Sequence, residues 1–420
     1  MSAGSYRVRI NLGEELLLES AVVIGVVVAL ALLFELTNGW NDAANAIATI
    51  VSTKVLKPRT AVLLSASFNV AGALLSTKVA ATISGMVNAK MISPAAVAAA
   101  MISGAVWNAA MTRMGMPISA SHALLGSVTG AAVAAAGMGV LKWSAIMKAV
   151  NGLWSSPLIG IVIALALAFP LLRMAPRVRL PVASVIIVGL AYTYKPWLAL
   201  VALLFVVGLY AYMRLTHNKS EETYWKQYQL VSSSLMSLAH GTNDAQKVMG
   251  VITMAMIAGH VLPEGSAPPL WVILACAATM GIGTYMGGWE VIKTLGEKLT
   301  DLKPIHGFAA ETAAAAVLSG AAHLGMPVST THTITGSIMG VGVAKGEVNW
   351  KVASKIAVAW VFTIPVTFAL GYGLSVGIVH FGLWPVLTVA ALGVAGVELV
   401  TRMRRAAAAV AKVGDEAAAD

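Results

Sequence analysis

Residues 39–50, GWNDAANAIATI, and residues 241–252, GTNDAQKVMGVI, decide the fold. They align at an offset of 202 residues, with five of twelve positions identical. A second pair, GMPISASHALLGSVTG (115–130) and GMPVSTTHTITGSIMG (325–340), aligns at an offset of 210 with eight identities in sixteen. Two matches in the same order are the signature of an internal duplication. The chain therefore divides into a first repeat (1–214), a central hydrophilic connector (215–229), a second repeat (230–405) and an Ala-rich, flexible tail (406–420).

Around the motifs the chain is 58% hydrophobic and only 11% charged, with a mean hydropathy of +0.81. Soluble domains carry about 25% charge. The apolar runs do not alternate as barrel strands must, so helices have to satisfy the backbone inside hydrocarbon. The reading is an all-α polytopic membrane protein with about 10–12 transmembrane helices. Apolar stretches of spanning length lie near 16–36, 60–83, 92–112, 153–172, 182–212, 230–258, 268–288, 305–324, 352–377 and 380–400. The first of these has no cleavage site and is read as a retained helix. Pro196 and the Tyr192–Lys195 stretch split 182–212 into two spans.

The net charge of +10 sits in short loops, as at Lys54, Lys57 and Arg59. That pattern marks cytoplasmic loops, not a nucleic-acid surface. The loop after 39–50 is basic while its counterpart, GHVLPEGSAPP, has no Lys or Arg, which places the two on opposite faces and makes the repeats inverted. The loops after the second motif pair are both basic, so the charge pattern supports inversion only in part. The lone Cys276 can form no internal disulfide and reads as a packing residue.

Asn41-Asp42 and Asn243-Asp244 each place an amide and a carboxylate inside apolar surroundings, where an unpaired charge costs a few kcal/mol. Hard oxygen donors suit Na⁺, and helices broken at Gly39 or Gly241 would add freed carbonyls; Asp42 and Asp244 are the expected metal ligands. The competing reading is helix N-capping. The second motif pair puts Ser119, Ala120 and Ser121, and Ser329, Thr330 and Thr331, behind a proline at expected helix starts. Free N–H groups, a positive dipole end and hydroxyls there make an anion site, and the short segments that follow suggest re-entrant hairpins. His122 and His332 are read as structural, bonded to hairpin backbone. Glu35 and Glu311 are acids within apolar runs and join the cation candidates; Glu290 pairs with Lys293. No Gly-Lys dipeptide occurs, so no Walker-type loop is present, and no nucleophile has an adjacent base. The energy source is then an ion gradient, and the protein is read as a transporter without cofactor, not an enzyme.

At these motifs the chain resembles the inorganic phosphate transporter (PiT) family, whose signatures read approximately GANDVANA and GANDAQK. Here they stand as GWNDAANA and GTNDAQK, with the stretch GFAAETAAA from Gly307 as further likeness. The resemblance covers essentially the whole chain. It implies a homodimeric, multi-pass symporter of a prokaryotic inner membrane, with inverted repeats, importing inorganic phosphate with Na⁺ or H⁺ by alternating access. It also implies phosphate held between two hairpin tips by Ser119, Ser121, Ser329, Thr330 and Thr331, with Asn41, Asp42, Asn243 and Asp244 serving the cations and the floor of the site. Trp40 and Thr242 depart from the family Ala, and Ile118 and Ala120 thin the first serine run. A sulfate permease of the same architecture and a passive anion channel are the rival readings.

Overall fold

A computed structural model describes residues 3–215, 220–388 and 391, with 3–20 and 213 as backbone alone. Among them the chain is helical, with one isolated bridge between Val87 and Leu141. The first half runs α1 (Ala3–Ser52), α2 (Pro58–Ala73), α3 (Lys78–Ser84), α4 (Pro94–Arg113), α5 (Ala120–Ala136) and α6 (Trp143–Arg173). Two further helices, α7 (Pro176–Tyr194) and α8 (Pro196–Leu215), break at Lys195-Pro196 as expected. The second half repeats the opening series as α9 (Glu221–Ala258), α10 (Leu270–Met286), α11 (Trp289–Lys293), α12 (Pro304–His323), α13 (Thr330–Lys345) and α14 (Trp350–Phe381). Residues 221–229 of the hydrophilic connector are thus the first turns of α9. The tail 406–420 and most of the stretch 380–400 lie outside the described residues.

Sequence chemistry sets the boundaries. Pro58, Pro94 and Pro304 occupy first helical turns, where the missing N–H costs nothing. Gly115 (φ +67°) and Gly325 (φ +59°) end α4 and α12 at equivalent places, so the loops 114–119 and 324–329 form the tips of two helical hairpins, α4–α5 and α12–α13. By length and apolarity five described helices can cross a membrane, or up to seven if each bent pair is one span. The helices α9 and α12 are long enough but too polar to meet that criterion. Large apolar side chains such as Val162, Val185, Leu204 and Phe362 face outward at 58–74% exposure, an area that lipid rather than water must cover.

The two halves interlock. α1 packs on α10 while α9 packs on α2, and α5 packs on α14 while α13 packs on α6. α1 and α9 run antiparallel: Ile24, near the middle of α1, abuts Gly259 just past the end of α9, and Thr53 beyond the end of α1 donates to Gln229 in the early turns of α9.

One expectation is corrected. No break occurs at Gly39 or Gly241, since α1 and α9 pass through both motifs as continuous helices. Asn41-Asp42 and Asn243-Asp244 are therefore not N-caps either. The bends lie one helix later, 73° between α2 and α3 and 65° after α10. The motif glycines serve close approach instead: a Cβ on Gly39 would sit 2.8 Å from the Met280 carbonyl oxygen, and one on Gly241 would sit 2.1 Å from that of Asn69. Trp40 and Thr242 tie the same crossings, donating to the carbonyls of Gly287 and Gly72.

Candidate functional site

Continuous helices carry the motif side chains to the interior at one level. Asn41, Asp42, Asn243 and Asp244 are all at most 1% exposed. The tip of the second hairpin closes over them. Thr331 Oγ1 donates to Asp42 Oδ1 at 3.0 Å, and Thr330 Oγ1 lies 2.8 Å from Asp244 Oδ2 and 3.3 Å from Asp42 Oδ2, bridging the two carboxylates. Asn45 Nδ2 supports both hydroxyls, at 3.3 Å from Thr330 and 3.1 Å from Thr331. The motif halves and a hairpin tip that the sequence places 86 to 289 residues apart thus form one polar cluster.

Other expected residues fall into place unequally. Ser119 and Ser329 cap α5 and α13, each Oγ accepting from the N–H of the histidine three residues on at 3.1 Å. Ala120 offers only backbone, and Ser121 Oγ donates to the Val328 carbonyl at 3.1 Å, tying the two tips together. Asn41 Nδ2 donates to Thr112 Oγ1 at 2.8 Å; Asn243 Nδ2 reaches the Leu318 carbonyl at 3.5 Å. Glu35 accepts from Asn38 at 3.3 Å, about two helical turns before Asp42. Glu311 stands apart from the carboxylate pair and accepts from Thr49, Gln229 and Ser232. Glu290 is an exposed partner of Lys293 at 3.9 Å. The histidine reading is corrected in detail: the rings of His122 and His332 meet edge to face at 4.4 Å, and His332 Nδ1 lies 3.3 Å from the Leu153 carbonyl on α6, not on hairpin backbone.

Because Glu311 is fully buried, its removal has a calculable cost. In E311A three donors lose their acceptor, and each buried orphan costs about 1–3 kcal/mol. The expected result is a loss of about 3 kcal/mol or more of stability, read as a lower melting temperature in detergent, with E311Q losing less because its carbonyl still accepts.

The sequence reading missed four participants. His240 Nε2 lies 3.3 Å from Asp244 Oδ2 and 3.9 Å from Asp42 Oδ2, and these three side chains offer ligand atoms within 4.8 Å of one another. Lys247, 2% exposed, is ion-paired with Asp244. Asn38 and Asn45 complete a polar seam on α1. The signal that could have found them is the spacing 35, 38, 42, 45, 49 in an otherwise apolar helix, the period of one helical face. The amide oxygens of Asn38, Asn41, Asn45 and Asn243 are buried without a donor among the described residues, and a hard cation or a water is the kind of partner such acceptors take.

The space between the hairpin tips is small. A cavity of about 10 Å³ beside the tips is lined by Ser121, Lys247 and Pro327 together with apolar side chains of α3, α5 and α6, near the least that holds one water. A cleft of about 190 Å³ lined by Ser76, Lys78, Lys195, Ser319 and His323 reaches Thr242, beside Asn243. On the loop side, hydrogen bonds from Lys142 and then Lys90 hold Glu264 below the usual carboxylate range.

Comparison with known proteins agrees with these features. Residues 38–371 match the model of a phosphate transporter family. A probable low-affinity inorganic phosphate transporter of Mycobacterium bovis is 41% identical over 388 residues, covering 91% of this chain and 84% of that protein. One from Bacillus subtilis is 38% identical over 352 residues, covering 82% and 94%. A solved structure described as the sodium-dependent phosphate transporter superposes with a TM-score of 0.78 at 23% identity, covering 86% of this chain and all of that one, a likeness of fold.

Proposed function

Since the chain belongs to the phosphate transporter family, a family of transporters and not of enzymes, we propose that it imports inorganic phosphate together with a cation by alternating access in a prokaryotic inner membrane. The observation that carries this reading is the bond between the hairpin tip and the carboxylates. Thr331 and Thr330 now spend their hydroxyl protons on Asp42 and Asp244. A cation that neutralises Asp42 weakens that hold and frees the hydroxyls to donate to an arriving phosphate. Each ligand then favours the other, which is a coupling free energy between two sites. Na⁺ is favoured over H⁺ because several unpartnered amide oxygens lie on the two helices that carry the carboxylates, and a proton needs only one acceptor.

Phosphate would lie between the tips, on the N-terminal turns of α5 and α13, with Ser121, Thr330 and Thr331 as donors and the basic cleft as its approach. The antiparallel course of α1 and α9 supports inverted repeats, and rocking of one half against the other would part the tips. A homodimer belongs to the same reading. Uptake needs no stored phosphate energy: one positive charge entering across 100 mV contributes about 2.3 kcal/mol.

The test is uptake of radiolabelled phosphate into proteoliposomes under an imposed Na⁺ gradient, a proton gradient or none, with sulfate as competitor. Accumulation driven by Na⁺ and indifferent to sulfate is expected; sulfate inhibition would indicate the sulfate carrier, and uptake that never exceeds equilibrium a channel. T331A should fold and lower the rate by roughly 10-fold, the value of about 1.5 kcal/mol for one hydrogen bond to a charged group. Wild-type uptake by T331A would remove this residue from the site.

A further inference from the structure

Each hairpin tip is held from the opposite half of the chain, and by the same residue type. The bent segment after α2 carries KVAAT (78–82) and the one after α10 carries EVIKT (290–294), related by an offset of 212 residues with Val and Thr shared. Thr82 Oγ1 donates to the Gly325 carbonyl at 2.7 Å, and Thr294 Oγ1 donates to the Gly115 carbonyl at 2.9 Å. The two glycines are themselves equivalent, 210 residues apart. Packing repeats as well: a Cβ on Gly325 would sit 3.1 Å from the Lys78 carbonyl oxygen, and one on Gly115 would sit 3.2 Å from that of Glu290. Beyond its threonine each segment is tied within its own half. Asn88 N–H donates to the carbonyl of Val140, just past α5, and Asn349 N–H, just past α13, donates to that of Leu299. Each segment thus runs from the exit of its own hairpin to the tip of the other.

We infer that Thr82 and Thr294 are positioning residues for phosphate, paired struts that hold each tip from the opposite half so that one motion of the halves acts on both tips. This rests on the reading of the tips as the phosphate site and adds what fixes them there. The distances along the chain are short. Gly325 lies five and six residues before Thr330 and Thr331, and Gly115 six before Ser121, the hydroxyls proposed to face the anion. A donor is only as well placed as the residues that support it. Ser121 also bonds the Val328 carbonyl across the tips, so a displacement at either glycine reaches both.

The experiment measures initial uptake of radiolabelled phosphate by the full-length protein in proteoliposomes, under a fixed driving gradient, as phosphate is titrated. T82V and T294V keep the shape of threonine and lose the hydroxyl. Each should raise the phosphate KM about fivefold, the effect of one lost hydrogen bond, with the rate at saturating phosphate retained. T82S and T294S keep a donor and should match wild type. The double variant T82V/T294V should also stop at about fivefold, because either loss loosens the coupled tips. A valine variant with wild-type KM overturns the inference, whatever its melting temperature, because the threonine then supports the fold alone. Serine variants as impaired as the valine ones overturn it too, and a double variant at about 25-fold, the product of independent effects, overturns the pairing. Where a valine variant does not fold, the alanine variant at that position is read in its place. Wild type that takes up no phosphate would instead overturn the phosphate reading itself.

Discussion

D42N should nearly abolish cation-driven phosphate uptake, lowering the initial rate by about two orders of magnitude while leaving the protein folded. Asp42 is buried, lies on the seam with the unpartnered amide oxygens, and is the carboxylate with no lysine of its own. Truncating one member of a buried charge pair costs about 2–5 kcal/mol, and each 1.4 kcal/mol is a factor of ten. Folding should survive because the amide oxygen of Asn can still accept from Thr331, the bond that now spans 3.0 Å. Two measurements separate function from fold. Uptake under a Na⁺ gradient should fall about a hundredfold, and the rise in melting temperature that Na⁺ gives wild type should vanish, because a ligand stabilises only the state that binds it. A D42N protein that still gains stability from Na⁺ would move the cation site elsewhere. D244N is expected to behave differently, since it strands the ammonium of Lys247 inside the protein and destabilises the fold as well as slowing transport.

The sequence made much of this legible. Four ordered motifs and a run of apolar segments are enough to specify a duplicated helical membrane protein, and the Ser119 and Ser329 capping positions follow from the Pro-x-Ser spacing alone. Asp42, Asp244, Thr330 and Thr331 were also readable as candidates, because a polar group in an apolar run has few uses. Two things were not. A Gly before Asn-Asp reads equally well as a helix break or as a close crossing, and only the position of α2 and α10 distinguishes them. Lys247 is hidden for a different reason: a lysine three residues after an aspartate resembles an ordinary surface pair, and only its burial and its contact with Asp244 place it in the polar cluster. The role of Glu311 likewise depends on Gln229 and Ser232, which lie 82 and 79 residues away.

The glycine correction leads to the second large effect, G241A. A Cβ at Gly241 would lie 2.1 Å from the carbonyl oxygen of Asn69 and 2.7 Å from its Cα, both backbone atoms of α2 that no rotamer change can move. Overpacking a buried contact costs about 1–3 kcal/mol when side chains can adjust, and here the helices themselves must separate. The expected outcome is a loss of about 3 kcal/mol or more, seen as poor recovery of monodisperse protein and a lower melting temperature. G39A should be milder, because its nearest backbone contact would be 2.8 Å, and G25A, with open space around it, should match wild type. Function should fail ahead of fold. Asn69 Oδ1 lies 3.1 Å from His240 Nδ1, and the other nitrogen of that ring faces Asp244, so pushing α2 outward shifts a side chain of the site directly. A G241A protein with wild-type melting would show that α2 and α9 do not cross at this distance; one that melts lower and transports normally would show that the crossing supports the fold without positioning His240.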